Sequence, residues 1–393
     1  MNPGLDKLHA YPFEKMRDLF AGIELADSQS EPIFDLSIGE PKHATPVIIV
    51  DALQQHLGTL SHYPKIIGEP ALRESIARWL EQRFQSPINP GNQVLPVNGT
   101  REALFAIAQC LVDSSANELV MLPNPGYQIY EGAALLAGAQ PHYLPLAEAF
   151  NYNPDYQSIS AEQWQQTRLL YLCSPGNPCG GVTPLETLQQ LIELSVKHDF
   201  VLCADECYSE IHPDEQQPPP GLLQAAAAMG HTDYRNCLVF HSLSKRSNVP
   251  GMRSGFVAGD AKLIDAFRRY RTYHGCAMAP PFQAASIAAW DDETHVRQNR
   301  QLYREKFEAA LKLLPPSSAE LPGGGFYLWL RTPGDDREFA RKLYRDQHVK
   351  VVPGSFLGRD QQGQNPGAGY IRCALVAEQS ACVEAIQRIA DAL

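Results

Sequence analysis

Four short runs constrain the fold of this chain more than any other feature. They are "NELVMLP" (117–123), "TRLLYLCSP" (167–175), "FVLCADE" (200–206) and "NCLVFHS" (236–242), and none alternates apolar with polar residues. A strand with one wet face must alternate, whereas a strand buried on both faces has no reason to. Between the runs lie segments such as "REALFAIAQCLV" (101–112) and "PLETLQQLIELSVKHD" (184–199), which carry apolar residues at helical spacing. Strand and helix patterns alternate from about residue 94 to 260. That alternation predicts an α/β unit with a mainly parallel sheet flanked by helices.

The C-terminal part reads differently. A long helical segment at 291–313 leads into "GGFYLWLRT" (324–332), "VKVVPGS" (349–355) and "GYIRCALV" (369–376), with helical pieces between and after. The pattern predicts a smaller α+β unit. A length of 393 residues leaves room for about two to three domains. The expected division is an N-terminal segment (1–45) packing with the small unit, a large α/β domain (46–290) and a small C-terminal domain (291–393).

Charge and composition narrow the partners. A formal net charge of -11 argues against nucleic acid, which needs a basic face, but leaves room for a local pocket for a small anion. No apolar run approaches the roughly 18 residues of a membrane span, and "MNPGLDKLHAYPFEKMRDLF" lacks the pattern of a signal peptide. Nine scattered cysteines form no disulfide framework, so the expected home is a reducing cytoplasm. Cys203 and Cys207 have no paired Cys/His partners, so no metal site is expected.

In a doubly wound sheet, ligands sit beyond the carboxyl ends of the strands. Four such ends carry chemistry here. "FVLCADE" leads to Asp205, "LLYLCSPGNP" to Asn177 and "CLVFHSLSK" to Lys245, while "QVLPVNGTREALF" runs from a strand into a helix opened by Gly99, Thr100 and Arg101. A helix N-terminus favours an anion, because its first N–H groups lack partners. Taken singly, each has a plainer reading: a cap for Asp205, a turn for Asn177-Pro178, a solvated lysine for Lys245. Their order along one sheet lifts the set above those readings.

Seven stretches together resemble the fold type I, class I/II aminotransferases that use pyridoxal 5'-phosphate. They are "LSIGEPKHATP" (36–46), "YPKIIGEPALRESIARWL" (63–80), "NGTREAL" (98–104), "PNPGYQIY" (123–130), "SPGNPCGGV" (174–182), "ADECYSEI" (204–211) and "SLSKRSNVPGMRSGF" (242–256). The resemblance implies a seven-stranded, mainly parallel sheet in the large domain. It implies that Lys245 holds the cofactor as a Schiff base and then moves the substrate proton. Asp205 corresponds to the partner of the pyridinium nitrogen, and Tyr208 with Asn177 to the pair on the phenolic oxygen. Thr100 and Arg101, following Gly99, offer backbone N–H groups to the phosphate, which Ser242, Ser244 and Arg253 complete. Tyr127 corresponds to the ring stacked on the cofactor. Arg372 and the backbone of Gly39 correspond to the contacts of the substrate carboxylate, which Asn177 also approaches. Tyr63 corresponds to a tyrosine that reaches the partner subunit's phosphate, implying a homodimer with shared sites.

The expected substrates are amino acids and 2-oxo acids. Among subfamilies, the chain looks most like the bacterial N-succinyl-diaminopimelate aminotransferases, with glutamate as donor. Another amino acid pair, a C–S lyase or a regulatory protein on the same fold remain alternatives; the intact set of Lys245, Asp205, Tyr208 and Arg372 argues against the last. Lys15 and Arg271 are candidate cations for a second substrate carboxylate.

Overall fold

The computed structural model of the protein describes residues 1–25 and 32–393. Residues 26–31, part of the expected N-terminal segment, lie outside the described residues. After the short β1 (Phe34–Asp35), the strands of the large unit are β2 (Val94–Val97), β3 (Leu119–Asn124), β4 (Gln140–Ala147), β5 (Asn153–Pro154), β6 (Thr167–Cys173), β7 (Val201–Asp205), β8 (Cys237–Ser242) and β9 (Gly255–Gly259). They form one sheet in the order β2-β9-β8-β7-β6-β3-β4-β5. The central pairs β4/β3, β3/β6, β6/β7 and β7/β8 are parallel.

The unalternating runs are the middle of this sheet, and β3, β7 and β8 are buried over their whole length. Strand β9 runs antiparallel to both neighbours. A glycine stands at each of its ends, because a Cβ on Gly255 or Gly259 would lie 2.5 or 1.9 Å from a carbonyl oxygen of β8. The sheet has eight strands rather than the expected seven. The eighth is β5, a two-residue strand that returns antiparallel beside the end of β4. It closes the edge with Pro154, which has no N–H to offer a further strand.

The C-terminal unit contains β10 (Tyr327–Arg331), β11 (Val349–Lys350), β12 (Val352–Pro353) and β13 (Tyr370–Ala374). Strands β10, β13 and β12 make an antiparallel sheet in that order. Its core joins Leu328, Leu330 and Ile371 to Phe307, Phe339, Leu343 and Ile386 of the helices Thr294–Leu313, Asp336–Gln347 and Gln379–Ala392. Met16 and Phe20, one turn apart on the helix Pro12–Phe20, enter the same cluster with Leu36. Strand β1 also pairs in parallel with β11. The first residues depart from the expectation for 1–45. Residues 3–7 pack on the helix Gln128–Ala137 of the large unit, where the Asn2 amide donates to the Leu136 carbonyl at 3.2 Å. The N-terminal segment thus touches both units and crosses the crevice between them. No helix among the described residues is long and apolar enough to cross a membrane.

Candidate active site

The carboxyl ends of β6, β7 and β8 and the first turn of the helix Thr100–Leu111 open into one cavity of about 410 Å³. Asp205, Tyr208, Asn177, Lys245, Ser242 and Ser244 line it from the sheet side. Thr100, Arg101, Tyr127 and Arg253 line it beside them, and Gly39 and Arg372 face them from the loop after β1 and from β13. Residues spread over more than 300 positions of sequence are therefore brought to one place.

Asp205 ends β7 and is buried. Its Oδ2 accepts from the Tyr130 hydroxyl at 2.7 Å, and its Oδ1 from the Cys207 N–H at 3.3 Å. Burial pushes its carboxyl up from the ordinary range, and the bonds from Cys207 and Tyr130 work against that rise. A buried carboxylate without a cation is costly. A ring nitrogen that carries a proton is the kind of partner this acid fits.

Lys245 lies just past β8, in the single turn Leu243–Arg246 that Ser242 caps by accepting from the Ser244 N–H at 3.1 Å. Its ammonium donates to the Gly39 carbonyl at 2.7 Å. Burial holds the amine down at about 8, with the Arg372 and Arg253 charges adding and Cys207 and Glu40 opposing. A lysine with a neutral fraction near neutrality is a competent nucleophile toward an aldehyde.

Gly99 takes φ +80° at the start of the helix, and a Cβ there would lie 2.3 Å from the Arg253 guanidinium. Only a residue without a side chain lets the arginine lie against this turn. The unpartnered N–H groups of the first turn, the Ser242 and Ser244 hydroxyls and Arg253 surround a space suited to a phosphate. With the acid, the amine and the phosphate cradle on three sides, the donor set fits pyridoxal phosphate.

Arg372 is buried in β13, where its guanidinium donates to Asn177 Oδ1 and to the Ser37 carbonyl, both at 2.9 Å. Its Nε is buried without a partner. That unmet donor and the clamped fork are ready for a carboxylate. With Asn177 Oδ1 engaged, its amide N–H groups are left for another acceptor. Tyr208 bonds Tyr327 hydroxyl to hydroxyl at 3.1 Å, and burial drives the Tyr208 phenol well up.

Tyr63 is not brought to this cavity: it is fully exposed, at 101%. Arg271 is excluded as a substrate contact, because it is buried with both carboxylate oxygens of Glu102 at 2.7 Å. Lys15 does not line the cavity either; it stands over the Phe356 ring, 5.8 Å from the centroid. Sequence reasoning missed Tyr130, Tyr327, Cys207, Tyr11 and Phe13, which all line it. Tyr130 had a signal, since it falls one helical turn after Tyr127. Tyr327 had none. It comes from the other unit, and a Cβ on Gly39 would lie 1.9 Å from its hydroxyl.

Residues 31–389 match the family model "Aminotransferase class I and II". An LL-diaminopimelate aminotransferase from Desulforudis audaxviator is 30% identical over 386 residues, covering 95% of each chain. The crystal structure of an aminotransferase from Neisseria meningitidis superposes with a TM-score of 0.95 at 47% identity, over 100% of this chain and 99% of that one. A probable N-succinyldiaminopimelate aminotransferase from Thermus thermophilus superposes with a TM-score of 0.83 at 26% identity, over 97% and 99% of the two chains. This chain belongs to the class I and II aminotransferases and depends on pyridoxal phosphate.

Proposed function

We propose that this aminotransferase moves an amino group from glutamate to N-succinyl-2-amino-6-ketopimelate, through a site that two copies of the chain share. The observation that carries the acceptor is the charge of the cavity wall. Asp205, at the floor, is the only carboxylate among its described lining residues, against the cations Arg101, Lys245, Arg253 and Arg372. A substrate whose far end is anionic suits such a wall. LL-diaminopimelate carries an ammonium beside the carboxylate at its far end, and that ammonium needs an acid there. That substrate is the second reading, favoured by the name of the Desulforudis relative.

Bound pyridoxal phosphate supplies an electron sink for the charge that develops at the substrate's Cα. In the proposed roles, Asp205 keeps the ring nitrogen protonated, and Tyr208 and the Asn177 amide donate toward the phenolic oxygen. Thr100, Arg101, Ser242, Ser244 and Arg253 hold the phosphate, and Tyr127 covers the ring. Arg372, with the Gly39 backbone, orients the α-carboxylate. Lys245 would hold the cofactor and, as the base beside the substrate, would move the Cα proton. Tyr63 reaches the phosphate of the neighbouring copy. Tyr63 is fully exposed, as are Val47 and Leu60 at 70% and 61%, bare apolar side chains of the kind a partner covers.

A substrate panel tests the assignment. With glutamate as donor, kcat/KM for the succinylated ketopimelate should exceed that for oxaloacetate, pyruvate or phenylpyruvate by more than about tenfold, the worth of one well-made charged contact. A panel won by LL-diaminopimelate with 2-oxoglutarate, or by an aspartate or aromatic pair, overturns it.

A further inference from the structure

We infer that the Arg101 side chain receives the distal carboxylate of the substrate, and so makes the enzyme prefer doubly acidic 2-oxo acids to monoacids of the same length. The inference rests on the aminotransferase reading and adds the group that reads the substrate's far end.

A count of charges singles out Arg101. Of the four cations on the wall, Lys245 is the covalent anchor, Arg253 lies against the Gly99 turn and Arg372 is clamped to Asn177 and Ser37. The cofactor's phosphate and the α-carboxylate answer Arg253 and Arg372, and Asp205 answers the ring nitrogen. Arg101 is left without an anion. Its guanidinium is exposed and makes no ion pair among the described residues. The phosphate needs only its backbone N–H, so the side chain is available for another task.

The side chain is also held in place. It lies over the Tyr11 ring, 5.6 Å from guanidinium to centroid, and one N–H approaches the Tyr11 hydroxyl at 3.4 Å. Tyr11 is in turn fixed as the residue that opens the helix Pro12–Phe20, its N–H donating to Glu14 at 3.2 Å. A planar fork steadied on an aromatic face, with most of its donors unused, is suited to a carboxylate. Arg101 and Arg372 come from different units, the first turn of Thr100–Leu111 and β13. A substrate gripped at both ends would therefore bridge the two.

The test is a ratio. With glutamate as donor, kcat/KM is measured for 2-oxoadipate and for 2-oxohexanoate, which differ only in the distal carboxylate. Arg101→Gln should lower the ratio of the first to the second by about 10- to 100-fold, and Arg101→Lys by less. In parallel, calorimetry compares glutarate with pentanoate binding to the cofactor-loaded protein; the same variant should erase the preference for the diacid. An unchanged ratio in both measurements overturns the inference, whatever happens to absolute rates. A wild-type protein that transfers no amino group sinks the functional reading instead, and the binding ratio still decides the role of Arg101.

Discussion

Asp205 and Arg101 bound the same cavity under opposite conditions. The acid ends a buried strand and is 5% exposed; the arginine stands in the open at a helix start. The floor around Asp205 and Lys245 is built from strand ends that cannot move without disturbing the central sheet. The rim, with Tyr11, Phe13 and Arg101, joins the N-terminal segment to a helix terminus across solvent. Burial is what shifts the acid up and the amine down. The floor therefore holds groups whose ionisation burial has shifted, while the rim holds groups left open to solvent.

If that contrast holds, damage to the floor should exceed damage to the rim by orders of magnitude. The largest effect is expected for Lys245→Ala, with turnover falling at least roughly 10²–10⁴-fold, as for a positioned acid–base group. Borohydride should attach the cofactor of the wild-type protein to a peptide containing Lys245, and label on another lysine would refute its role. The sign of its pH dependence follows from the lowered amine. Its neutral fraction rises about tenfold per pH unit below about 8 and then saturates. Covalent capture of pyridoxal phosphate by cofactor-free protein should level off there; a rate still climbing toward pH 10 would mean a solvated amine.

Asp205→Asn comes next, with a loss on the order of 10²-fold in kcat at unchanged fold, since it removes one buried charge-assisted contact. Near-normal turnover would reduce the carboxylate to a structural group. Tyr63→Phe should do least, weakening cofactor affinity by about tenfold, the low end for one hydrogen bond to a charged phosphate. Equilibrium titration of the cofactor measures it. Full activity of a monomer at nanomolar concentration would remove Tyr63 from a neighbour's site altogether.

The floor was legible in the sequence because a buried parallel strand declares itself. The unalternating runs became β3, β6, β7 and β8; β7 ends on Asp205, while Asn177 and Lys245 follow the carboxyl ends of β6 and β8. Two details escaped. The edge strand β5 has only two residues and no periodicity to read. The antiparallel course of β9 depends on its neighbours, because strand direction leaves no mark on a five-residue apolar run. Tyr327 was missed for a related reason. In "GGFYLWLRT" it reads as one more apolar strand residue, and its hydroxyl meets Tyr208 only when the two units dock.

Sequence by itself determined the local elements, the parallel core and which residues end its strands, since these follow from periodicity and from the cost of burying polar groups. Only the tertiary structure decided which cations are spent and which are free. Arg271 and Arg101 both stand on helices near the same strand ends, and no composition rule separates them. Folding closes Arg271 onto Glu102 and leaves Arg101 open on Tyr11, because a charge is answered by whatever lies within a few ångströms of it, at any sequence distance.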